Sequence, residues 1–447
     1  MKFTFYGGAG EIGGNKILLE DRDARVFLDM GVPFDFGERY FVEYLNYRDR
    51  FRLRDYFALN LLPRIPGLYS ADWLAGTDLR HRRSEFSGVL ISHIHWDHTN
   101  HLKYIDPEIP VYLGEGTRHI LNSWQETSTS MDLGEHDYRT FRTGKTLALD
   151  GVDDEPIHVD HSAPAAYGHL LHTSEGAVAY TGDLRRHGPR GEFTDEFLER
   201  AAKEKPKVLL IEGTKVSPNA TAERSSEADV LQGATEVVRK AKKHLVVATF
   251  YPRDVDRMRT FYQTAKKTGR IFVMSSKAAH LLGTLAADPR IDAKRIITDD
   301  AIRVYFREMK QPKPWEAELH RIFKDRAVGS DWVKKHQGEV ILQLDFEQLT
   351  ELIDIAPERG AQFIHSKSEP FEEKEMSDIV LHNWLDTFGL TYHQLHASGH
   401  LSMQEVKEAI EAVNPKYVVP VHTEHPELFT AFHPRVKLPK NLSSLEL

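Results

Sequence analysis

The sequence predicts an α/β protein in which a small parallel-sheet domain interrupts a larger, strand-rich host. Three observations carry this. Six short apolar runs, "ARVFLDMG", "GVLISHIH", "PIHVDHS", "AVAYTGD", "KVLLIEG" and "YVVPVHT", read as buried strands, each with a His, Asp or Glu at its carboxyl end. After "KVLLIEG", helical stretches at 225–243 and 254–267 alternate with "HLVVATF" and "RIFVMSS", and "EVILQLDF" and "AQFIHSKS" follow. His-bearing segments then resume at "YHQLHASGH". An insertion of about 170 residues explains this order better than two domains in series. The expected division is 1–212 and 389–447 for the host and 213–388 for the insertion.

Composition bounds the function. A chain of 447 residues can bury two cores, and 40% hydrophobic with 28% charged residues excludes a largely disordered chain. The opening "MKFTFYGGAGEIGGN" lacks the apolar stretch of a signal peptide, and no later run could span a bilayer. A cytoplasmic protein without a membrane partner is expected. With no cysteine there is neither a disulfide framework nor a thiolate ligand. The net charge of −9 opposes unaided binding to phosphates, although divalent metals would offset it locally. The basic clusters "RDRFRLRD", "LRHRR", "RKAKKH" and "RVKLPKN", taken singly, read as solvated faces. There is no internal repeat and no low-complexity segment.

The stretch "ISHIHWDHTNHL" places His93, His95, Asp97 and His98 in one short turn. Imidazoles and carboxylates are costly to bury without partners, so a metal ion is the expected compensation. In a strand, His93 and His95 would share a face. A reversal after His95, with a helix beginning in "DHTNHLKYI", would let all four converge. Imidazole and carboxylate suit zinc or manganese, while the lack of thiolate disfavours a structural zinc finger. Four donors from one turn cannot all serve one ion. Further ligands are expected at equivalent strand ends: His161 in "VDHSAP", Asp183 in "YTGDLRRHG" and His422 in "PVHTEH". Asp183 could bridge two metal sites. Most other histidines, including His81, His119, His136, His172 and His336, read as spectators.

The "HIHWDH" run with downstream His161, Asp183 and His422 resembles the metallo-β-lactamase fold, a two-sheet αββα sandwich that binds two metals. "GGAGEIGGNKILLE" and "VFLDMG" are similar to its opening strands, with Asp29 expected to orient the ligand loop. The resemblance, over residues 1–212 and 390–447, implies His93, His95 and His161 for one metal and Asp97, His98 and His422 for the other. Asp183 would be shared. It implies two divalent ions, zinc first, with manganese or magnesium as alternatives.

Two further motifs narrow the reaction. "LLIEGT" with Glu212 and "LHASGHLSMQEV" with His396 and His400 resemble the first and second motifs of the β-CASP branch, whose inserted domain lies between them. His422 in "VVPVHTEH" matches the third. Within that branch, "YTGDLRRHG", "HASGHLSMQEV" and "NPKYVVPVHTEH" resemble the ribonuclease J family. The resemblance implies a two-metal ribonuclease of RNA decay that removes nucleotides 5′→3′ from 5′-monophosphorylated single-stranded RNA. Asp97, Asp183, Glu212 and His400 would be the catalytic residues. Glu212 beside His400 would hold the imidazole charged, able to protonate the departing 3′-oxygen; a plain ion pair is the alternative. Ser402 and Glu405 form a capping box that starts a helix after "HASGH". Its amides, with His396, Ser398, Gly399 and His400, would suit a phosphate. Ser275, Ser276, Ser366 and Ser368 are further candidates for RNA contact, with ordinary turn chemistry an equal reading.

The chain also departs from the bacterial pattern, with Trp96 and Thr99–Asn100 inside the histidine motif. It stops soon after His422, as archaeal members do, so the bacterial C-terminal domain that supports dimers is expected to be absent. A homodimer or an RNA-processing complex stays open. The aromatic, basic segment "YFVEYLNYRDRFRLRDYFALNLLPRIPGLYSADW" reads as an RNA-stacking path or, preferably, a helical cover. Rival functions are a β-CASP endonuclease of the RNA 3′-end or DNA-repair type, a small-molecule metallo-hydrolase and a non-catalytic scaffold. The large insertion and the Glu212/His400 pair argue against the hydrolase, and the full ligand set argues against the scaffold.

Overall fold

The computed structural model describes residues 1–42, 44–128, 132–220, 225–368 and 376–447. Two sheets form the host. The first runs, in spatial order, through Ser443–Glu446, Lys2–Gly7, Lys16–Asp21, Ala24–Leu28, Gly88–Ile91, Val111–Gly114 and Tyr138–Phe141. The second runs through Tyr417–Val421, Val208–Glu212, Gly176–Tyr180, Ala166–Thr173, Val152–Val159 and Leu147–Leu149. Period-two alternation sends Phe3, Phe5, Ile17, Leu19, Val26 and Leu28 of the first sheet against Val178, Tyr180, Val208, Leu210 and Val419 of the second. The outer face of the second sheet packs on the helices Gly191–Glu204 and Met403–Val413 through Phe197, Leu198, Val406 and Ile410. The result is an αββα sandwich.

The third sheet is wholly parallel: Ala327–Val328, Ile302–Tyr305, Ile271–Ser275, Val340–Gln343, Val246–Thr249, Gln362–His365 and Thr391–Gln394. Its helices Glu227–Ala241 and Val255–Thr268 follow the predicted periodicity. Ser226 and Asp229 cap the first in a reciprocal box, and the Asp254 side chain caps the second. The last strand, Thr391–Gln394, lies past the expected boundary at 388, because its backbone pairs with Gln362–His365 before the chain returns to the host. The two lobes share one continuous core, in which the host helix Glu115–Thr127 packs beside Ser276–Leu285.

Two local expectations change. The strand Gly88–Ile91 ends before His93, so the metal motif is carried by a loop and not by a strand face. The helix after His95 is only Trp96–Thr99, followed by a 3-10 turn at Asn100–Tyr104. Residues 40–73, apart from 43, pack as a cover with little regular structure. Leu53, Tyr56, Phe57, Leu62, Ile65 and Leu68 are buried, while Arg48, Arg50 and Arg54 crowd the Phe51 ring at 4.4, 4.6 and 5.1 Å. No helix among the described residues is long and apolar enough to cross a membrane.

Candidate metal centre

Strand ends set the positions of the donors. Asp29 follows Ala24–Leu28 directly, His161 lies two residues past Val152–Val159, and Asp183 lies three past Gly176–Tyr180. Glu212 ends Val208–Glu212, and His422 follows Tyr417–Val421 in a left-handed conformation, φ 53°. A non-glycine residue held at positive φ is a strained position, here imposed where a side chain must turn into the cleft. The backbones are also close: a Cβ on Gly31 would sit 1.5 Å from the Asp97 carbonyl oxygen, so only glycine fits.

Two donor sets form, each with its ligand atoms within 4.8 Å of one another: His93, His95, His161 and Asp183, and Asp97, His98, His422 and Asp183. In the first, His95 Nδ1 is 3.0 Å from His93 Nε2 and 3.1 Å from His161 Nε2, and Asp183 Oδ2 is 3.6 Å from His93 Nε2. In the second, His422 Nε2 is 3.0 Å from Asp97 Oδ2, and His98 Nε2 is 3.2 Å from Asp183 Oδ2. A tetrahedral zinc ion with bonds of about 2.0–2.1 Å would space its donors about 3.3 Å apart, so both sets fit one. Protein bonding alone leaves gaps: His98 Nε2 and Asp183 Oδ1 are buried without a hydrogen-bond partner.

Charge points the same way. Burial holds His93 and His161 well below the usual imidazole range and His95 at about 4, leaving neutral lone pairs for a cation. Burial also acts to lower His98, but Asp183, Asp97 and Asp29 outweigh it and raise it well above its ordinary value. That concentration of carboxylates is what divalent cations would neutralise.

A second layer fixes three of the rings through their other nitrogen. His98 Nδ1 meets Asp29 Oδ2 at 2.8 Å, His161 Nδ1 donates to the Gly399 carbonyl at 2.6 Å, and His422 Nδ1 meets Thr214 Oγ1 at 2.8 Å. Asp29 itself accepts from the Ser92 amide at 2.7 Å, the Ser92 hydroxyl at 2.8 Å and the Tyr180 hydroxyl at 2.5 Å. Ser92, Tyr180 and Thr214 were not singled out from the sequence. Tyr180 stands in "AVAYTGD", and an aromatic hydroxyl ending an otherwise aliphatic strand was the available signal.

A third set joins Asp183 to Glu212 and His400. Both Glu212 oxygens lie 3.2 Å from His400 Nδ1, and Glu212 also accepts from the amides of Leu184, Thr214 and Leu401 at 3.3, 3.1 and 3.4 Å. Burial acts to lower His400, but Glu212 and Asp183 overcome it and raise it. Ser402 and Glu405 form the expected capping box at the start of Met403–Val413.

The remaining candidates divide. Gly399 contacts His161, and the Ser398 hydroxyl accepts from the His400 amide at 3.2 Å, so both belong to the rim of the centre. His396 Nδ1 donates to the Ser366 carbonyl at 3.4 Å, and burial lowers it to about 3. Ser275 caps its helix, accepting from the Ala278 amide at 3.3 Å, and the Ser276 hydroxyl donates to Glu316 at 3.3 Å. The Ser366 hydroxyl accepts from Arg257 and donates to the Leu395 carbonyl, both at 2.5 Å. These three hydroxyls are taken up within the inserted lobe.

Comparison with known proteins agrees with this geometry. Residues 68–251 match the family described as a beta-lactamase superfamily domain, and residues 390–430 match a Zn-dependent metallo-hydrolase RNA specificity domain. The chain is 25% identical to a ribonuclease J of Pyrococcus abyssi, over 95% of this chain and 90% of that one. It is 26% identical to a ribonuclease J of Sinorhizobium meliloti, over 77% of this chain and 59% of the other. A ribonuclease J of Synechocystis is 25% identical over 95% and 61% of the two chains. The chain thus spans about three-fifths of those bacterial relatives. A crystal structure of a protein of unknown function from Enterococcus faecalis superposes with a TM-score of 0.79 at 22% identity, covering 100% of this chain and 99% of that one. Two of its segments thus match a beta-lactamase superfamily domain and a Zn-dependent metallo-hydrolase RNA specificity domain, and most of its length is similar to ribonuclease J.

Proposed function

We propose that this chain is a metal-dependent ribonuclease that removes nucleotides from 5′-monophosphorylated RNA in the 5′→3′ direction. The observation that carries the reading is Asp183, which is common to both candidate metal sets and the Glu212/His400 pair. His93, His95 and His161 would hold one divalent cation and Asp97, His98 and His422 the other, with Asp183 shared. Bound there, two cations would polarise a water molecule and the scissile phosphate.

The chain's own residues supply the rest. Glu212 fixes His400 through Nδ1, which leaves Nε2 to donate a proton to the departing 3′-oxygen. Asp29 and Thr214 hold His98 and His422 in register, so the donors keep their positions as charge develops. Ser398 and Gly399 lie two residues and one residue before His400, a placement suited to a terminal phosphate one nucleotide from the cut. On a division into 1–212, 213–388 and 389–447, with the last strand of the insertion running on to Gln394, this cleft would be the seam between host and insertion.

The test is to incubate the purified chain with Zn²⁺ or Mn²⁺ and RNA labelled at its 5′ end, bearing either a monophosphate or a hydroxyl. Prompt release of labelled mononucleotide, faster from the monophosphate, is expected. Labelled internal fragments would make the enzyme an endonuclease, and no cleavage with either metal would refute the ribonuclease reading.

A further inference from the structure

Three arginines lie where the lobes meet, and one of them lacks an anion. Arg185 pairs with Asp160, Glu227 and Asp256 at 3.4, 3.4 and 3.0 Å. Arg257 pairs with Glu227 at 2.9 Å and donates to the carbonyls of Ser366 and Ala397 at 2.6 and 3.3 Å. Arg253 pairs with no carboxylate among the described residues, and its Nη1 is buried without a hydrogen-bond partner. Arg253 is half-buried, and an Nη1–H left without an acceptor is costly, so an anion from outside the chain is the natural complement.

Placement says which anion. Arg253 stands in the turn between the strand Val246–Thr249 and the helix Val255–Thr268, at the carboxyl end of the inserted parallel sheet, where ligands of such sheets bind. Its guanidinium lies across the lobe boundary on the face of Trp124, 3.1 Å from the ring centroid, which holds the fork in place before any ligand arrives. One helical turn later, Arg257 reaches the Ala397 carbonyl, and two residues beyond that Gly399 binds His161. The turn therefore abuts the loop that frames the metal centre. Burial lowers the Arg253 pKa to about 9, and among charged groups Asp97 acts on it most strongly. It is still a cation at neutral pH, and it faces the metal-binding side of the cleft.

We propose that Arg253 binds a backbone phosphate of the RNA strand beside the metal centre, clamping it from the inserted lobe with two parallel N–H donors. This rests on the ribonuclease reading above. A guanidinium fork matches two non-bridging phosphate oxygens, and the cation–π contact leaves it little orientational freedom to lose.

The experiment compares wild type, Arg253→Gln and Arg253→Lys. Affinity of the metal-loaded chain for a short single-stranded RNA with a cleavage-resistant backbone is measured across roughly a tenfold range of KCl, since each phosphate contact contributes about 0.7 to the slope of log K against log salt. Arg253→Gln is expected to lose about 0.7 of that slope and, on cleavable RNA, about 100-fold in kcat/KM. Arg253→Lys keeps the slope and loses about tenfold in kcat/KM, because an ammonium lacks the planar fork that matches two oxygens at once. A wild-type slope in a folded Arg253→Gln protein overturns the proposal. If that variant does not fold, wild-type kcat/KM in Arg253→Lys overturns it. A wild-type chain that neither binds nor cuts RNA removes the ribonuclease reading itself, and the proposal with it.

Discussion

Arg185 and Arg257 share one carboxylate oxygen: Glu227 Oε1 lies 3.4 Å from Arg185 Nη1 and 2.9 Å from Arg257 Nη2. The two arginines come from different lobes and are fully buried. Each also holds the loop ahead of His400, Arg185 at the Ser398 carbonyl and Arg257 at the Ala397 carbonyl. The contact between the lobes and the loop ahead of His400 thereby share the same charges.

Replacing Glu227 should therefore cost more than an ordinary surface change. In Glu227→Gln, two buried guanidinium groups lose a shared counter-charge, and a loss of about 3–5 kcal/mol is expected. Urea unfolding of the variant and the wild type checks this. Equal midpoints would show that the network contributes nothing to holding the lobes together.

Glu212→Gln leaves the size of the side chain unchanged but removes the charge that fixes His400. On RNA, kcat is expected to fall about 10²–10³-fold, within the usual range for a lost proton donor. On a phosphodiester with a nitrophenolate leaving group, which departs without protonation, the loss should shrink to a few-fold. Equal losses on both substrates would assign the pair a structural role.

Asp29→Ala and Tyr180→Phe act behind the donors. Asp29 fixes His98, and the Tyr180 hydroxyl fixes Asp29. Outer-layer changes of this kind lower metal affinity about 10–100-fold, so Asp29→Ala should fall in that range and Tyr180→Phe below it. Competition with a chromophoric chelator measures both. Unchanged affinity in Asp29→Ala would detach Asp29 from the site.

Asp345 makes stability depend on pH away from the cleft. Burial raises its carboxyl to about 6, against the pull of Lys367 and Lys277 and with Glu347 adding to the rise. The folded chain holds this proton more tightly than the unfolded chain does. Its contribution is therefore complete below about pH 4 and lost as pH climbs to about 6. Asp345→Asn keeps the shape of the side chain and the hydrogen bond from its backbone amide to Gln348, and cannot ionise. Its Tm relative to wild type should be higher at about pH 8 than at about pH 4. The same difference at both values would contradict this assignment.

Much of this was legible from residue pattern. The six acid- or His-tipped strands all formed, because buried parallel and mixed strands demand continuous apolar runs and leave polar residues only at their ends. What was not legible has physical causes. His93 and His95 converge from a loop, since the strand stops at Ile91, and no periodicity rule covers a loop held by Ser92 and Asp29. Ser366 reads as an RNA contact or an ordinary turn residue in "IHSKS", yet its hydroxyl is enclosed by Arg257 and Leu395. Contacts between residues 109 positions apart leave no local trace in a single sequence. Thr214 and Tyr180 were hidden for the same reason: their partners are set by the meeting of strands from both halves of the host.

The most direct measurement is metal content and RNA cleavage in Asp183→Ala beside wild type. The account predicts two divalent ions bound per wild-type chain after zinc loading and dialysis, and loss of affinity at both sites together with loss of cleavage in the variant. An Asp183→Ala protein, purified free of contaminating nuclease, that retained wild-type turnover would contradict the account.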